Sequence, residues 1–346
     1  MTAMEPEVYC PFPAELSPHV DTARTHLDAW VSRHGLIHRE LPRRRFADAD
    51  FARFAAMTYP ELTEPDLCLV ADWFAWLFLL DDQLDDGAVG RDPRQAGSVM
   101  ADLYAVLTSD GDSFEQWRQA SPIVASLADL WHRTMPRASA DWRSRFVTHV
   151  AAGAIAACWE ADNRAAGTVP DEQSYVENRR HTGAIYVCMD LIEVVRDIEL
   201  PAEVIDGEVF AGTLRAACDV VCWTNDVYSL DKESALGEFH NLVSVVAHHE
   251  RLDRPAAVAA VLRRIADATD EFLAGEQRLL GPEFAAHHAG LARYLAGMRS
   301  WMRGNLDWSR ETKRYRAEQD LWQEPARYLE SVTAAAGSGA RPQDER

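Results

Sequence analysis

Two groups of oxygen-bearing side chains each follow directly on an apolar run. The stretch WFAWLFLLDDQLDDG, Trp73 to Gly87, runs eight residues without a charge and then places Asp81, Asp82, Asp85 and Asp86 within six positions. If 65–84 forms one helix, entered through Glu64 with Pro65 at its first position, Asp81 and Asp85 fall one turn apart on one face. Asp82 and Asp86 make a second pair, rotated by about 100°. Carboxylates so placed repel one another and oppose the dipole at a helix C-terminus, so they call for cations. With oxygen donors alone and no His or Cys nearby, the fitting ion is Mg²⁺ rather than zinc, an ion commonly shared with substrate phosphates. A solvated acidic helix end explains a bare DDxxD equally well; the apolar residues before this one weigh against it.

The second group lies in NDVYSLDKE, where Asn225, Ser229 and Glu233 stand at i, i+4 and i+8 and line one helical stripe. An exposed helix end with a Glu/Lys pair is the plainer reading. The preceding LRAACDVVCWT has the character of a buried segment, however, and polar groups that begin abruptly there need partners. This is a second candidate Mg²⁺ site.

The elements that must position these groups are helical. Long Ala/Leu/Arg/Glu-rich segments lack the short Val/Ile/Thr runs that mark strands, so the fold class is all-α. Helical patterning is expected over 18–34, 48–58, 65–84, 93–109, 114–131, 138–166, 171–181, 182–198, 207–229, 241–249, 255–279, 284–304 and 317–336, with Pro or Gly in most gaps. A proline-rich coil, 1–17, precedes one domain over 18–332, and a small, polar stretch, 333–346, is expected to be a disordered tail.

The formal charge of −20 sets the long-range field against nucleic acid and anionic surfaces, so an anionic substrate needs local cations or metal ions. The apolar run 67–80 is interrupted by Asp72 and is too short to span a bilayer, which argues against integral membrane association. Six cysteines without a CxxC pair read as free thiols in a reducing compartment, and with no secretion signal in the acidic, proline-bearing N-terminus the expected location is cytoplasmic.

DDQLD and NDVYSLDKE resemble the aspartate-rich motif and the Asn/Ser/Glu triad of class I terpene synthases, the microbial terpene cyclases. The spacing of further residues extends the resemblance from Phe78 to Tyr315: Arg179 lies 46 residues before Asn225, RRHTG follows the diphosphate-sensing pattern, and RY occurs at Arg314 and Tyr315. The resemblance implies a single-domain helical bundle around a central active-site cavity, with three Mg²⁺ ions. Asp81 would bridge two of them, with Asp82 and Asp85 in support and Asp86 ranked behind Asp85; Asn225, Ser229 and Glu233 would hold the third. Arg179 is implied as diphosphate sensor, with Thr182 and Gly183 at the linker and effector positions. The family linker is often an aspartate, and this chain carries Thr182 there.

Arg179, Lys232, Arg314 and Tyr315 have the donors to grip diphosphate oxygens. Taken singly, each Arg is also explained as one of a group of exposed cations. Phe78 and Trp301 fall where the family has aromatic pocket walls, with Phe54 a weaker candidate; Trp73, Trp76 and Trp308 are structural or undecided. Gly183 is expected to open a helix toward the cavity, and 303–315, with Gly304, to form a lid.

By resemblance the activity is Mg²⁺-dependent ionisation of an acyclic isoprenoid diphosphate, a small-molecule partner, followed by cyclisation of the carbocation. Farnesyl diphosphate is the expected substrate and a sesquiterpene the product, with C10 and C20 substrates as alternatives. A chain-elongating prenyl diphosphate synthase would carry a second DDxxD where this chain has Asn/Ser/Glu. A non-catalytic helical metal-binding protein would leave Arg179, Lys232 and the RY pair unexplained. A monomer or a homodimer is expected.

Overall fold

The apolar and Ala-rich runs become fourteen α-helices in the computed structural model, which describes residues 6–85, 93–109, 116–117, 119–315 and 332–333. No strand occurs among the described residues, as the all-α reading predicts. In chain order the helices are α1 (Val20–Arg33), α2 (Glu40–Ala49), α3 (Phe51–Thr58), α4 (Glu64–Asp85), α5 (Pro93–Thr108), α6 (Pro122–Thr134) and α7 (Ala140–Ala166). There follow α8 (Glu172–Thr182), α9 (Ile185–Val195), α10 (Ala202–Ile205), α11 (Glu208–Leu236), α12 (Leu242–Glu250), α13 (Arg254–Leu279) and α14 (His288–Glu311). Side-chain oxygens of Ser139, Asp171, Asn241 and Asp253 accept from the first-turn N–H groups of α7, α8, α12 and α13, and Gly167 and Gly237 close α7 and α11 at positive φ.

The longest helix, α11, lies along α13 and α14; α3 packs on α14 and on α4, α1 on α4, and α8 on α7. Asp72, the charge that interrupts the apolar run of α4, is fully buried and accepts hydrogen bonds from Arg133 (2.9 Å) and His26 (2.9 Å), which tie α4 to α6 and α1. Its position reflects a paired buried charge rather than a break in the helix. Residues 6–17 form no helix. They lie against the bundle, with Val8 and Phe12 buried, Ser17 N donating to Ala56 O, and Arg303 Nη1 donating to Phe12 O.

Several expected boundaries move, for identifiable reasons. The run 48–58 divides at Asp50, whose left-handed backbone (φ 52°) separates α2 from α3; its carboxylate accepts from Arg53 N and from Arg24 on α1. Helix α2 itself has no counterpart in the sequence reading. The run 114–131 starts as α6 only at Pro122, which suits a first-turn position, while residues 114, 115 and 118 lie outside the described ones. Helix α11 continues past Ser229 to Leu236, so Asn225, Ser229 and Glu233 share one uninterrupted helix. The helix expected over 317–336 lies outside the described residues except for Val332 and Thr333, which are not helical.

The expected lid over 303–315 is corrected. Residues 303–311 are the last turns of α14, and Gly304 is buried against the backbone of α3. Only 312–315 leave the helix. A Cβ on Gly304 would stand 2.5 Å from both the carbonyl carbon and the oxygen of Met57, backbone atoms that no rotamer change can move aside. Gly304 is therefore a packing contact, and Gly304→Ala is expected to lower stability by about 1–3 kcal/mol, read as a fall in the thermal or urea midpoint.

Candidate active site

Several helices converge on one interior space. The α4 chain turns from Phe74, Leu77 and Phe78 to Asp81, and the α11 chain turns from Val221 and Cys222 to Asn225, Ser229 and Glu233. Between them, α8 ends at Thr182 and α9 begins at Ile185. The left-handed residue in this break is Ala184 (φ 52°), not Gly183. Gly183 is instead closely packed: a Cβ there would stand 2.9 Å from Arg179 Nη1, the end of a flexible side chain, and 3.1 Å from Arg179 O.

The space has two chambers. One is apolar, walled by Phe54, Phe74, Leu77, Ile185, Val221 and Trp301 among others. The second is polar and brings together Ser229, Lys232, Glu233, Arg314 and Tyr315 with Glu160, Arg164, Glu238 and His240. Five residues face both: Phe78, Asp81, Arg179, Thr182 and Asn225. Phe54 stacks on Trp308 (4.3 Å) and meets Trp301 edge-on (5.5 Å), so its ring is both wall and packing. Trp73, Trp76 and Trp308 are structural, their indole N–H groups donating to Thr134 Oγ1, Ile123 O and Ala49 O.

The charged groups already hold one another. Arg179 Nε donates to Asp226 Oδ1 (2.9 Å) and its Nη2 to Asn225 Oδ1 (2.9 Å), while Asn225 Nδ2 donates to the Tyr315 hydroxyl (2.5 Å). Arg314 donates twice to Asp82 (2.6 and 3.2 Å) and lies 5.0 Å from the Phe78 ring centre. Asp82 is thus held by a bidentate arginine that lines the polar chamber, whereas Asp81 faces both chambers. Asp85 closes α4, and Asp86 lies outside the described residues.

Burial, with the adjacent Asp82 charge, pushes the Asp81 carboxyl up to about 6. Burial, with the neighbouring Asp226, pushes Glu233 up to about 7. Asp82 is also buried, yet Arg314 and Lys232 hold it below the ordinary carboxylate range. Arginine Arg179 rises well above its usual value because the Asp226 charge outweighs its desolvation.

Asp81, Asn225, Ser229 and Glu233 face one polar chamber with oxygen donors, and burial, reinforced by the neighbouring Asp82 and Asp226 charges, makes the ionised Asp81 and Glu233 costly in a way that a divalent cation would relieve. The residues therefore fit a hard divalent metal. The sequence reading found this donor set but missed Asp226, Tyr175 and Asn241, which orient it, and Glu160, Arg164, Glu238 and His240, which complete the chamber. Asp226 lies inside the same NDVYSLDKE motif, but its partners come from α8 and from the start of α12.

Residues 72–271 match the family model described as terpene synthase family 2, C-terminal metal binding. The chain is 34% identical to the 10-epi-cubebol synthase of Sorangium cellulosum, covering 90% of this chain and 98% of that one. It is 35% identical to the (+)-T-muurolol synthase ((2E,6E)-farnesyl diphosphate cyclizing) of Roseiflexus castenholzii, covering 88% and 92%. Among solved structures, the germacradien-4-ol synthase of Streptomyces citricolor superposes with a TM-score of 0.74 at 28% identity, over 87% of this chain and 97% of that one. The family model and the relatives imply use of a divalent metal. No helix among the described residues is long and apolar enough to cross a membrane.

The raised carboxyls give metal binding a pH dependence of definite sign. Near pH 6 the metal-free protein keeps protons on Glu233 and on part of the Asp81 population, and a cation must displace them; at pH 8 it need not. The rise in melting temperature at a fixed Mg²⁺ concentration is expected to be larger at pH 8 than at pH 6. Calorimetry in buffers of different ionisation enthalpy should show proton release at pH 6.5 that disappears at pH 8.

Proposed function

Because the chain belongs to the terpene synthase family, as a class I enzyme of the microbial type, we propose that it ionises farnesyl diphosphate and cyclises the carbocation to a sesquiterpene hydrocarbon or alcohol, releasing diphosphate. The observation that carries this reading is the five-residue boundary between an apolar and a polar chamber. It suits a substrate with a hydrocarbon chain at one end and a polyanion at the other, reacting at the junction. The farnesyl diphosphate named for the muurolol synthase relative supports the C15 length.

In this reading Asp81, Asp82 and Asp85 hold magnesium on the α4 side and Asn225, Ser229 and Glu233 on the α11 side, three ions in all. Bound magnesium supplies the positive charge that stabilises a diphosphate leaving group. Arg179, Lys232, Arg314 and Tyr315 donate hydrogen bonds to its oxygens, the arginines in forked pairs. Thr182 and Gly183, directly after the sensor Arg179 turn, border the carbon that ionises. The Thr182 hydroxyl is buried and has no hydrogen-bond partner among the described residues, so it is available to couple Arg179 to the break.

The rest is exclusion and shape. Phe78, Trp301 and Phe54 line the apolar chamber, where an aromatic contact to a cation is worth about 2 kcal/mol or more when desolvated. The apolar wall keeps water from it. Cys188 and Cys222 stand in that wall as neutral thiols: burial raises both, Cys222 to about 12.

Incubation with geranyl, farnesyl and geranylgeranyl diphosphates, with Mg²⁺ and with chelator, is expected to give a Mg²⁺-dependent cyclic C15 product by gas chromatography and mass spectrometry. Only elongated diphosphates as products would favour a prenyl diphosphate synthase. Glu233→Gln should abolish turnover with the helical circular dichroism unchanged; full activity would remove Glu233 from the metal triad. Phe78→Ala should redistribute products or release early-quenched ones without changing the Mg²⁺ requirement, and an unaltered profile at normal rate would take Phe78 out of the wall.

A further inference from the structure

Helix α11 ends at Gly237, one turn after Glu233, and the chain reverses within four residues to start α12. The reversal is built, not slack. Glu238 N donates to Glu233 O (2.9 Å), and the Glu238 carboxylate accepts from Phe239 N, from His240 N and from Arg164 on α7. Its effect is to return Asn241, which is completely buried, onto the polar face of α11.

There the Asn241 amide has three partners. Nδ2 donates to Glu233 Oε2 (2.8 Å) and to Asp226 O (2.7 Å), and Oδ1 accepts from Val243 N as the cap of α12 (2.9 Å). Two acceptors on one side and one donor on the other fix which way the amide faces. The next residue adds Leu242 N to Asp226 Oδ2 (3.0 Å). Glu233 has three rotatable side-chain bonds and faces the polar chamber, so a donor fixed on one oxygen sets the plane of the whole carboxylate.

We propose that Asn241 is a positioning residue that orients the Glu233 carboxylate for divalent-metal binding. The proposal rests on the reading of Glu233 as a metal ligand. Removing the amide nitrogen frees the carboxylate to rotate, and metal affinity should fall by about ten- to a hundredfold, the usual cost of losing such an outer partner. The capping role can be kept separate, because a Ser or Thr hydroxyl still accepts from Val243 N but is too short to reach Glu233.

The test is Mn²⁺ binding, followed by electron paramagnetic resonance on the metal-free protein without substrate, for the wild type, Asn241→Ser, Asn241→Thr and Glu233→Gln. Thr fills more of the vacated volume and serves if the Ser variant is too unstable; far-UV circular dichroism and metal-free melting report folding. Expected are Mn²⁺ affinities weakened about ten- to a hundredfold in the Asn241 variants. Turnover should recover at high Mg²⁺ with an unchanged product profile. Weakened binding in Glu233→Gln with near wild-type affinity in both Asn241 variants overturns the proposal, and a lower metal-free melting temperature alone would then assign Asn241 to capping. Wild-type affinity in Glu233→Gln overturns the metal-triad reading and the proposal with it.

Discussion

The carboxylate of Asp226, fully buried, is the interaction on which the geometry of the site depends. It accepts from the Tyr175 hydroxyl (2.7 Å) and Arg179 Nε on α8 and from Leu242 N at the start of α12, while its own carbonyl accepts from Asn241. A buried charge of this kind is costly unless it is paired and hydrogen-bonded, and here Arg179 supplies the pairing charge while Tyr175 and Leu242 N supply further donors. These contacts join α8, α11 and α12 where Arg179, the Asn225/Ser229/Glu233 stripe and the α8–α9 break must keep register. Loss of Arg179 would leave an uncompensated anion in the interior.

The same economy of charge explains why the two motif helices change character abruptly. Each of α4 and α11 is apolar where it borders the apolar chamber and anionic one turn further on, and two of the cations that face the anions come from elsewhere, Arg179 from α8 and Arg314 from the turn after α14, while Lys232 lies on α11 itself. Electrostatic pairing across the chamber, Arg314 with Asp82 and Arg179 with Asp226 and Asn225, orders side chains before any ligand arrives. Preorganisation of this sort lowers the cost of arranging donors around an anion.

Much of this was legible in the chain because the motifs are helical and local. The spacings i, i+4 and i+8 give one stripe whatever the tertiary fold, so Asn225, Ser229 and Glu233 could be grouped from sequence, as could Asp81 with its neighbours. The spacing of Arg179, Arg314 and Tyr315 was legible only through resemblance to a family, since nothing local ties them to α11. What escaped was tertiary. Asn241 only opens the run expected over 241–249, Asp226 stands beside Asn225, and Glu160 lies within the run 138–166; it is the bundle that sets Glu160 in the polar chamber and bonds Asp226 and Asn241 to Arg179 and Glu233, which line it. Gly304 misled for the opposite reason: a glycine in a polar stretch suggests a hinge, whereas here it admits the backbone of α3. Asp50 carried no glycine to announce the left-handed break that divides α2 from α3.

The division of the interior into two chambers also shapes how such a protein can diversify. Residues such as Leu77, Ile185 and Val221 border only the apolar space, and Ser229, Lys232 and Glu233 only the polar one. On the proposed reading, drift in the first group would alter the mould in which a carbocation folds without touching the residues assigned to ionisation, so a lineage could sample new carbon skeletons while its ability to ionise substrate is preserved. The five boundary residues have no such freedom, because each answers to both demands at once.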